Sequence, residues 1–276
     1  METISIIIPS RGEKYLNATI KDVLDKATGS VEVIVVLEEY DEKRIEGVTY
    51  IYHPKALGMR YAINEAVNIS RGKYIMKLDA HCIVAPGFDE QLKKDHQDNW
   101  LQVPRKYSIL ENEWQPNFND PIDYEYWIYP LRYPNASLHG FRWLTKGQER
   151  KHILIDDNLT FQGSCWFMSK DWWDKCDFMN DEGYNQLHAQ EAVYLGNTTW
   201  MNEGRVVINK NTWYAHLFKS KQAGRGYPMD EMKRRACYKY SYQHWVLDNK
   251  EDFISLIEQF WPLPNWPENW REILWN

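Results

Sequence analysis

The chain has 276 residues, 43% hydrophobic and 26% charged, a balance that suits a packed core and excludes an intrinsically disordered chain. A formal net charge of −6 argues against a general polyanion binder. No apolar run approaches the roughly 20 residues needed to cross a bilayer, and the N-terminus enters a strand without a basic segment, an apolar h-region or a small-residue cleavage site, so no membrane partner and a cytoplasmic location are expected.

Ile4 to Ile8 reads as a short buried strand running into Pro9-Ser10-Arg11-Gly12. The spacing of Leu16, Ile20, Val23 and Leu24 predicts a helix over Glu13 to Ala27. Val31 to Leu37 is a second, almost continuously apolar strand that ends at Glu38-Glu39, and Val48 to Tyr52 is a third. Runs of this kind suit a parallel sheet covered on both faces. A helix is predicted from Gly58 to Ser70, with Tyr61, Ala62, Ala66 and Ile69 inward, and then a strand from Lys73 to Leu78. This β-α-β-β-α-β order is that of a doubly wound α/β sheet, whose ligands bind beyond the carboxyl ends of the strands. Three polar clusters lie at such ends: Pro9-Ser10-Arg11, Glu38-Glu39 and Asp79-Ala80-His81. No GxGxxG follows the first strand and no GxxxxGK[ST] occurs, which disfavours a Rossmann dinucleotide site and a P-loop.

Beyond this half, a helix is expected over Pro86 to Asp98 and a strand over Trp100 to Val103. Regular pattern fades from Arg105 to Asp157, a stretch rich in Trp, Tyr, Pro and Asn. Gln162 to Met168 reads as a strand, followed by a short helix from Ser169. A further helix begins near His188, Arg205 to Ile208 is a strand, and Trp213 to Lys219 places His216 inside an aromatic run. Met229 to Trp245 is a basic, aromatic helix, and the remaining tail, with four Trp spaced by prolines, is expected to pack back onto the domain. The four cysteines, Cys82, Cys165, Cys176 and Cys237, form no CxxC pair and are expected as reduced thiols. From Arg205 to Lys239 nine Lys or Arg face two acids, a local +7 that leaves −13 elsewhere; such a segment is either a solvated face or a surface that meets phosphates.

A carboxylate and an imidazole two residues apart at a strand end can point the same way, because strand side chains repeat with period two. Asp79 and His81 could therefore offer a divalent metal one oxygen and one nitrogen. The alternative is an Asp capping the next helix and a His in a turn.

The ordered set of these motifs resembles a GT-A glycosyltransferase of the family 2 type, and more narrowly the catalytic domain of polypeptide N-acetylgalactosaminyltransferases. Leu78-Asp79-Ala80-His81-Cys82 matches the D-x-H motif of that family. Glu191, Trp200 to Val206 and His216-Leu217-Phe218-Lys219 follow at the family's spacing, and Gln162 to Phe167 resembles its G-G-L-F strand. The resemblance implies that Asp79, His81 and His216 ligate a divalent cation, Mn2+ first, that bridges the diphosphate of a UDP-sugar. It implies donor contacts from Pro9, Ser10, Arg11, Glu38, Glu39, Arg60, Asp79 and Lys219, and a catalytic or sugar-facing role for Glu191. Trp166, Gln190 and Tyr126 are the expected acceptor contacts. Ala189-Gln190-Glu191-Ala192 departs from the family's G-G-E-N, and Lys219 replaces an Arg.

The fold expected is a single α/β domain of GT-A type, a doubly wound mixed sheet flanked by helices. Residues 1–104 would form the nucleotide half and 105–245 the acceptor half, with 246–276 as the packed tail. The acceptor is a hydroxyl on a glycan, a protein or a hydroxymethylated base in DNA. DNA is favoured by the local +7 and by aromatics around Tyr124 to Tyr133 that could stack an extruded base. The alternative function is a catalytically silent module that holds a nucleotide or a glycan.

Overall fold

A computed structural model describes residues 2–110, 112–132, 137–180, 182–184, 189–218 and 230–275. In chain order the elements are β1 (Ile4–Ser10), α1 (Leu16–Lys26), β2 (Val31–Glu38), β3 (Thr49–His53), α2 (Met59–Ile69), β4 (Tyr74–Leu78), β5 (Cys82–Val84) and α3 (Phe88–Lys94). They continue with β6 (Trp100–Leu110), β7 (Gln115–Ile122), β8 (Glu125–Trp127), β9 (Gly140–Arg142), α4 (Leu144–Glu149), β10 (Ile155–Asp157), β11 (Cys165–Ser169) and α5 (Lys170–Lys175). The last are α6 (Glu191–Met201), β12 (Arg205–His216), α7 (Glu231–Tyr242), α8 (Lys250–Phe260) and α9 (Trp270–Trp275).

Ten strands form one mixed sheet in the order β10-β12-β6-β11-β4-β1-β2-β3, with β5 added to β12 and β7 to β6. The first half is parallel: β1 pairs with both β2 and β4, and β2 with β3. β11 then runs antiparallel to β4 on one side and to β6 on the other. A small β8–β9 sheet stands apart. The result is a single α/β domain, a mixed sheet flanked by helices.

Burial explains the central strands. In β1, Ile4, Ile6, Ile7 and Ile8 are all fully buried, as a strand with neighbours on both edges and cover on both faces requires. α1 turns Leu16, Thr19, Ile20 and Val23 inward, while Leu24 is exposed. α2 buries Ala62, Ile63, Ala66 and Val67. The inward stripe is thus rotated from the expected one, and Tyr61 and Ile69 lie exposed.

Two expectations are corrected. The stretch from Arg105 to Asp157 is not irregular: it holds the second half of β6, then β7, β8, β9, α4 and β10. β7 reads Gln-Pro-Asn-Phe-Asn-Asp-Pro-Ile, a composition of turns, and it forms because its partner β6 supplies the ladder. Arg205 to Ile208 and the run at Trp213 are one strand, β12, whose pairing with β6 shifts register between Asn209 and Trp213. The polar Asn209-Lys210-Asn211 segment hides that continuity in the sequence. The tail folds inward, with Phe253, Ile257, Trp266 and Trp270 buried and the Trp266 indole N–H donating to the Trp127 carbonyl at 2.6 Å. Among the described residues no helix is long and apolar enough to cross a membrane.

Candidate active site

β4 ends at Leu78, and neighbouring strands fix the path of the chain beyond it. Asp79 N–H donates to the Ser164 carbonyl at 2.9 Å, so the strand end is tied to the segment entering β11. The chain turns through His81 into β5, which pairs antiparallel with the end of β12 so that Cys82 faces His216. Leu217 N–H donates to the His81 carbonyl at 3.1 Å. This register sets the two histidines side by side, their Nε2 atoms 3.0 Å apart. Asp79 Oδ2 lies 3.3 Å from His216 Nε2 and 3.9 Å from His81 Nε2.

A triangle with these edges has a point about 2.0 Å from all three atoms, the distance range of metal–nitrogen and metal–oxygen bonds. One carboxylate oxygen and two imidazoles suit Mn2+ or a similar divalent ion. His216 is available as a ligand because burial pushes its pKa down to about 4, against the pull of Asp79, and keeps the imidazole neutral. His81 turns its other nitrogen, Nδ1, toward Glu13 Oε2 at 3.4 Å. Fit to a cation is therefore good in size and donor type.

Behind the triad lies Lys77, 1% exposed. Its ammonium donates to Asp79 Oδ1 at 2.6 Å and to the Gly163 carbonyl at 2.5 Å, and it lies 3.6 Å from Glu191 Oε2. Burial pushes Lys77 down, but the Asp79 and Glu191 carboxylates outweigh it and lift the ammonium above the ordinary lysine value. Burial pushes Asp79 up, and the adjoining Lys77 and the two histidines reverse this and hold the carboxyl well below its usual range. Glu191, at the start of α6, is raised by burial, with Lys77 and the Trp166 N–H opposing. A second buried lysine, Lys106 on β6, pairs with Glu125 and donates to Gln162 Oε1 at 3.1 Å.

The expected site residues divide into those brought together and those placed elsewhere. Asp79, His81, His216 and Glu191 converge. Trp166 is fully buried beneath Glu191 and donates its indole N–H to Oε1 at 2.8 Å, so it supports that carboxylate and offers no surface to an acceptor. Arg60 is also fully buried. Its guanidinium lies over the rings of Tyr184 and Tyr194 at 4.0 and 5.1 Å and donates to the Asn180 carbonyl. Glu38 is occupied, its Oε1 accepting from the Leu57 and Gly58 amides at 2.6 and 2.7 Å. Arg11 and Glu39 pair with each other at 2.6 Å beside the end of β1. Pro9 is half-buried, and the buried Ser10 Oγ makes no hydrogen bond among the described residues. Gln190 caps α6 in the left-handed region and donates to the Leu138 carbonyl. Tyr126 is buried, its hydroxyl 3.3 Å from Asn265 Nδ2 in the tail. Lys219 lies outside the described residues.

Tyr124 and Trp127 are buried like Tyr126, so these three fill the core and present no ring to an extruded base; Tyr129 is half-buried, and Tyr133 lies outside the described residues. Of the +7 segment, Arg205 pairs with Asp157, Lys210 is buried against Tyr124 and Arg234 pairs with Glu231, while Lys233, Arg235 and Lys239 are exposed and Lys219, Lys221 and Arg225 lie outside the described residues. Lys77, Glu13 and Gly163 are the members that the sequence did not reveal. Lys77 carries a signal, a charge inside an otherwise apolar strand, in phase with Asp79 at period two. For Glu13 and Gly163, only the fold supplies the partner.

A family model described as glycosyl transferase family 2 matches residues 5–176. The putative polypeptide N-acetylgalactosaminyltransferase 13 of Drosophila melanogaster is 24% identical over 227 residues, 76% of this chain and 38% of its own length. The uncharacterized glycosyltransferase MJ1057 of Methanocaldococcus jannaschii is 32% identical over 171 residues, 57% of this chain and 52% of its own. The chain thus spans about half or less of these curated relatives. The crystal structure of GalNAc-T7 with UDP, GalNAc and Mn2+ matches with a TM-score of 0.70 at 16% identity, over 99% of this chain and 55% of that one. At that identity the likeness shows the GT-A fold.

Proposed function

Because the chain belongs to glycosyl transferase family 2, we propose that it moves a sugar from a UDP-sugar to a hydroxyl acceptor, with Asp79, His81 and His216 holding a divalent cation, Mn2+ first. The observation that carries this reading is the triad itself: three ligand atoms, two from the β4–β5 turn and one from the end of β12, separated by 3.0, 3.3 and 3.9 Å. GalNAc-T7, of like fold, was crystallised with UDP, GalNAc and Mn2+, which supports the same donor chemistry here.

A divalent cation in the triad supplies electrostatic stabilisation of the charge that develops on the departing diphosphate, an effect worth several kcal/mol. The protein's own groups do the rest. Asp79 presents one oxygen, Oδ2, because Lys77 occupies the other. The imidazoles present lone pairs from rings held by the β5–β12 ladder. The ends of β1 and β2, at Ser10, Arg11 and Glu39, provide polar groups beside the expected nucleotide position, at the strand ends where such sheets bind ligands. Glu191 is the carboxylate placed to meet a hydroxyl of the sugar or the acceptor. The acceptor is a glycan, a polypeptide or a hydroxymethylated DNA base, and the burial of Tyr124, Tyr126 and Trp127 weakens the aromatic support for the DNA version.

The test is UDP release from a panel of UDP-sugars with Mn2+, without metal and with EDTA. One donor should be hydrolysed slowly, only with metal, and Asp79→Ala should lose at least ~100-fold of that rate while its circular dichroism stays native. Metal-independent release, or full activity in Asp79→Ala, would remove the triad from the mechanism.

A further inference from the structure

We propose that Lys77 is a positioning residue: one buried ammonium that couples the charge of the cation site to Glu191. This rests on the proposed function and goes beyond it, since it concerns a residue buried behind the triad and outside the proposed ligand set.

An ammonium has three protons to place. Those of Lys77 face Asp79 Oδ1 at 2.6 Å, the Gly163 carbonyl at 2.5 Å and Glu191 Oε2 at 3.6 Å. At 1% exposure no bulk water competes for them. Each carboxylate is divided between two partners. Asp79 gives Oδ1 to Lys77 and Oδ2 to the imidazole side. Glu191 gives Oε1 to the Trp166 indole and Oε2 to Lys77. The geometry fixes the torsion of both acids through one cation. Gly163 completes the arrangement: a Cβ there would stand 3.0 Å from Glu191 Oε2 and 3.1 Å from its carboxyl carbon, so a side chain at 163 would press on the acid and shift it by a few tenths of an ångström.

Charge sharing has a direction. While Lys77 compensates Asp79, the triad attracts a cation less strongly than a bare carboxylate would, and this attenuation is large where water is excluded. Removing the ammonium strengthens the triad's hold on a free cation and releases Glu191. A cation buried only to neutralise two acids for folding predicts the change in Mn2+ affinity, through its charge alone, but no loss of rate that runs through Glu191.

The experiment uses the full chain with Lys77→Met, Glu191→Gln and the double variant. Two quantities are read: the dissociation constant of Mn2+ without nucleotide, from the electron paramagnetic resonance of free Mn2+, and kcat and KM for metal-dependent UDP release. Lys77→Met should bind Mn2+ at least ~5-fold more tightly than wild type. It should lose at least ~100-fold in kcat with donor KM within about 3-fold. The double variant should turn over within about 3-fold of the slower single variant, because both changes act through Glu191. If Lys77→Met alone does not fold, the double variant replaces both buried charges and is the better tolerated. Its Mn2+ affinity against Glu191→Gln alone then isolates the ammonium and should again be at least ~5-fold tighter. Mn2+ affinity unchanged or weakened on loss of the ammonium would overturn the proposal, and so would rate losses that simply multiply, which would make Lys77 a structural counter-ion. A wild-type chain that binds no Mn2+ fails earlier, at the proposed function, and takes this inference with it.

Discussion

At the scale of single residues, burial does most of the chemical work. Asp79 and Glu191 are both carboxylates on the same lysine, yet they are driven in opposite directions. Asp79 has Lys77 in direct contact and two imidazoles in front, which together overcome its burial. Glu191 has Lys77 a full ångström farther away and a neutral indole as its closest donor, so burial wins. The same force acts on His96, away from the site. Its ring lies edge-on to Tyr74 and Phe167, neither nitrogen has a hydrogen-bond partner among the described residues, and burial pushes it down to about 4. The unfolded chain takes up this proton near 6.5. Between about 4 and 6.5 the unfolded state therefore binds more protons, and stability falls as the pH drops through that window. His96→Phe should remove this one contribution. Urea unfolding at pH 7.5 and pH 4.5 should show the variant losing roughly 2–3 kcal/mol less than wild type; equal losses would mean that His96 titrates normally.

At the scale of elements, the site depends on β5, a strand of only three residues. It is held on one side by the ladder to β12 and on the other by α1, where Thr19 Oγ1 donates to the Cys82 carbonyl at 2.9 Å and accepts from the Cys82 amide at 3.0 Å. Both bonds are buried. Thr19→Val keeps the shape and deletes the hydroxyl, leaving two buried backbone groups without partners at a cost of about 1–3 kcal/mol. Because His81 immediately precedes β5, the variant should also bind Mn2+ more weakly than wild type. Thermal melting and metal titration check the two effects together; a lower Tm with unchanged metal affinity would show that the β12 ladder alone positions His81.

At the scale of the whole molecule, the tail completes the core. Trp127 stacks on Phe253 with ring centroids 5.8 Å apart, Trp266 bonds the Trp127 carbonyl, and Trp270 is 1% exposed between Trp261, Trp266 and Trp275. Trp270→Ala opens a large cavity and should cost about 3–5 kcal/mol. Turnover per folded molecule should be unchanged, since the ring touches none of the metal or carboxylate groups. Loss of turnover in a variant that remains folded would give the tail a role in the site.

Much of the first half was legible from the chain alone. Apolar runs at Ile4 to Ile8 and Val31 to Leu37 mark buried parallel strands because such strands need apolar side chains on both faces. Local pattern puts Asp79 and His81 just past a strand end, but β4 stops at Leu78 and His81 sits in the β4–β5 turn, so the turn and not the strand's period of two sets them together. Those features depend on neighbours a few residues away, which a sequence displays directly. The tertiary structure alone decided the rest. His216 joins the triad through the pairing of β12 with β5, a register that no local pattern specifies. Lys77 and Glu191 share a charge because β4 and the start of α6 meet at Gly163, where no side chain stands between them. Trp166, Arg60 and Tyr126 carry the composition of a binding surface, yet the fold buries all three. Residue type records what a side chain is able to do, whereas its exposure and partners are set by contacts between segments far apart in the chain.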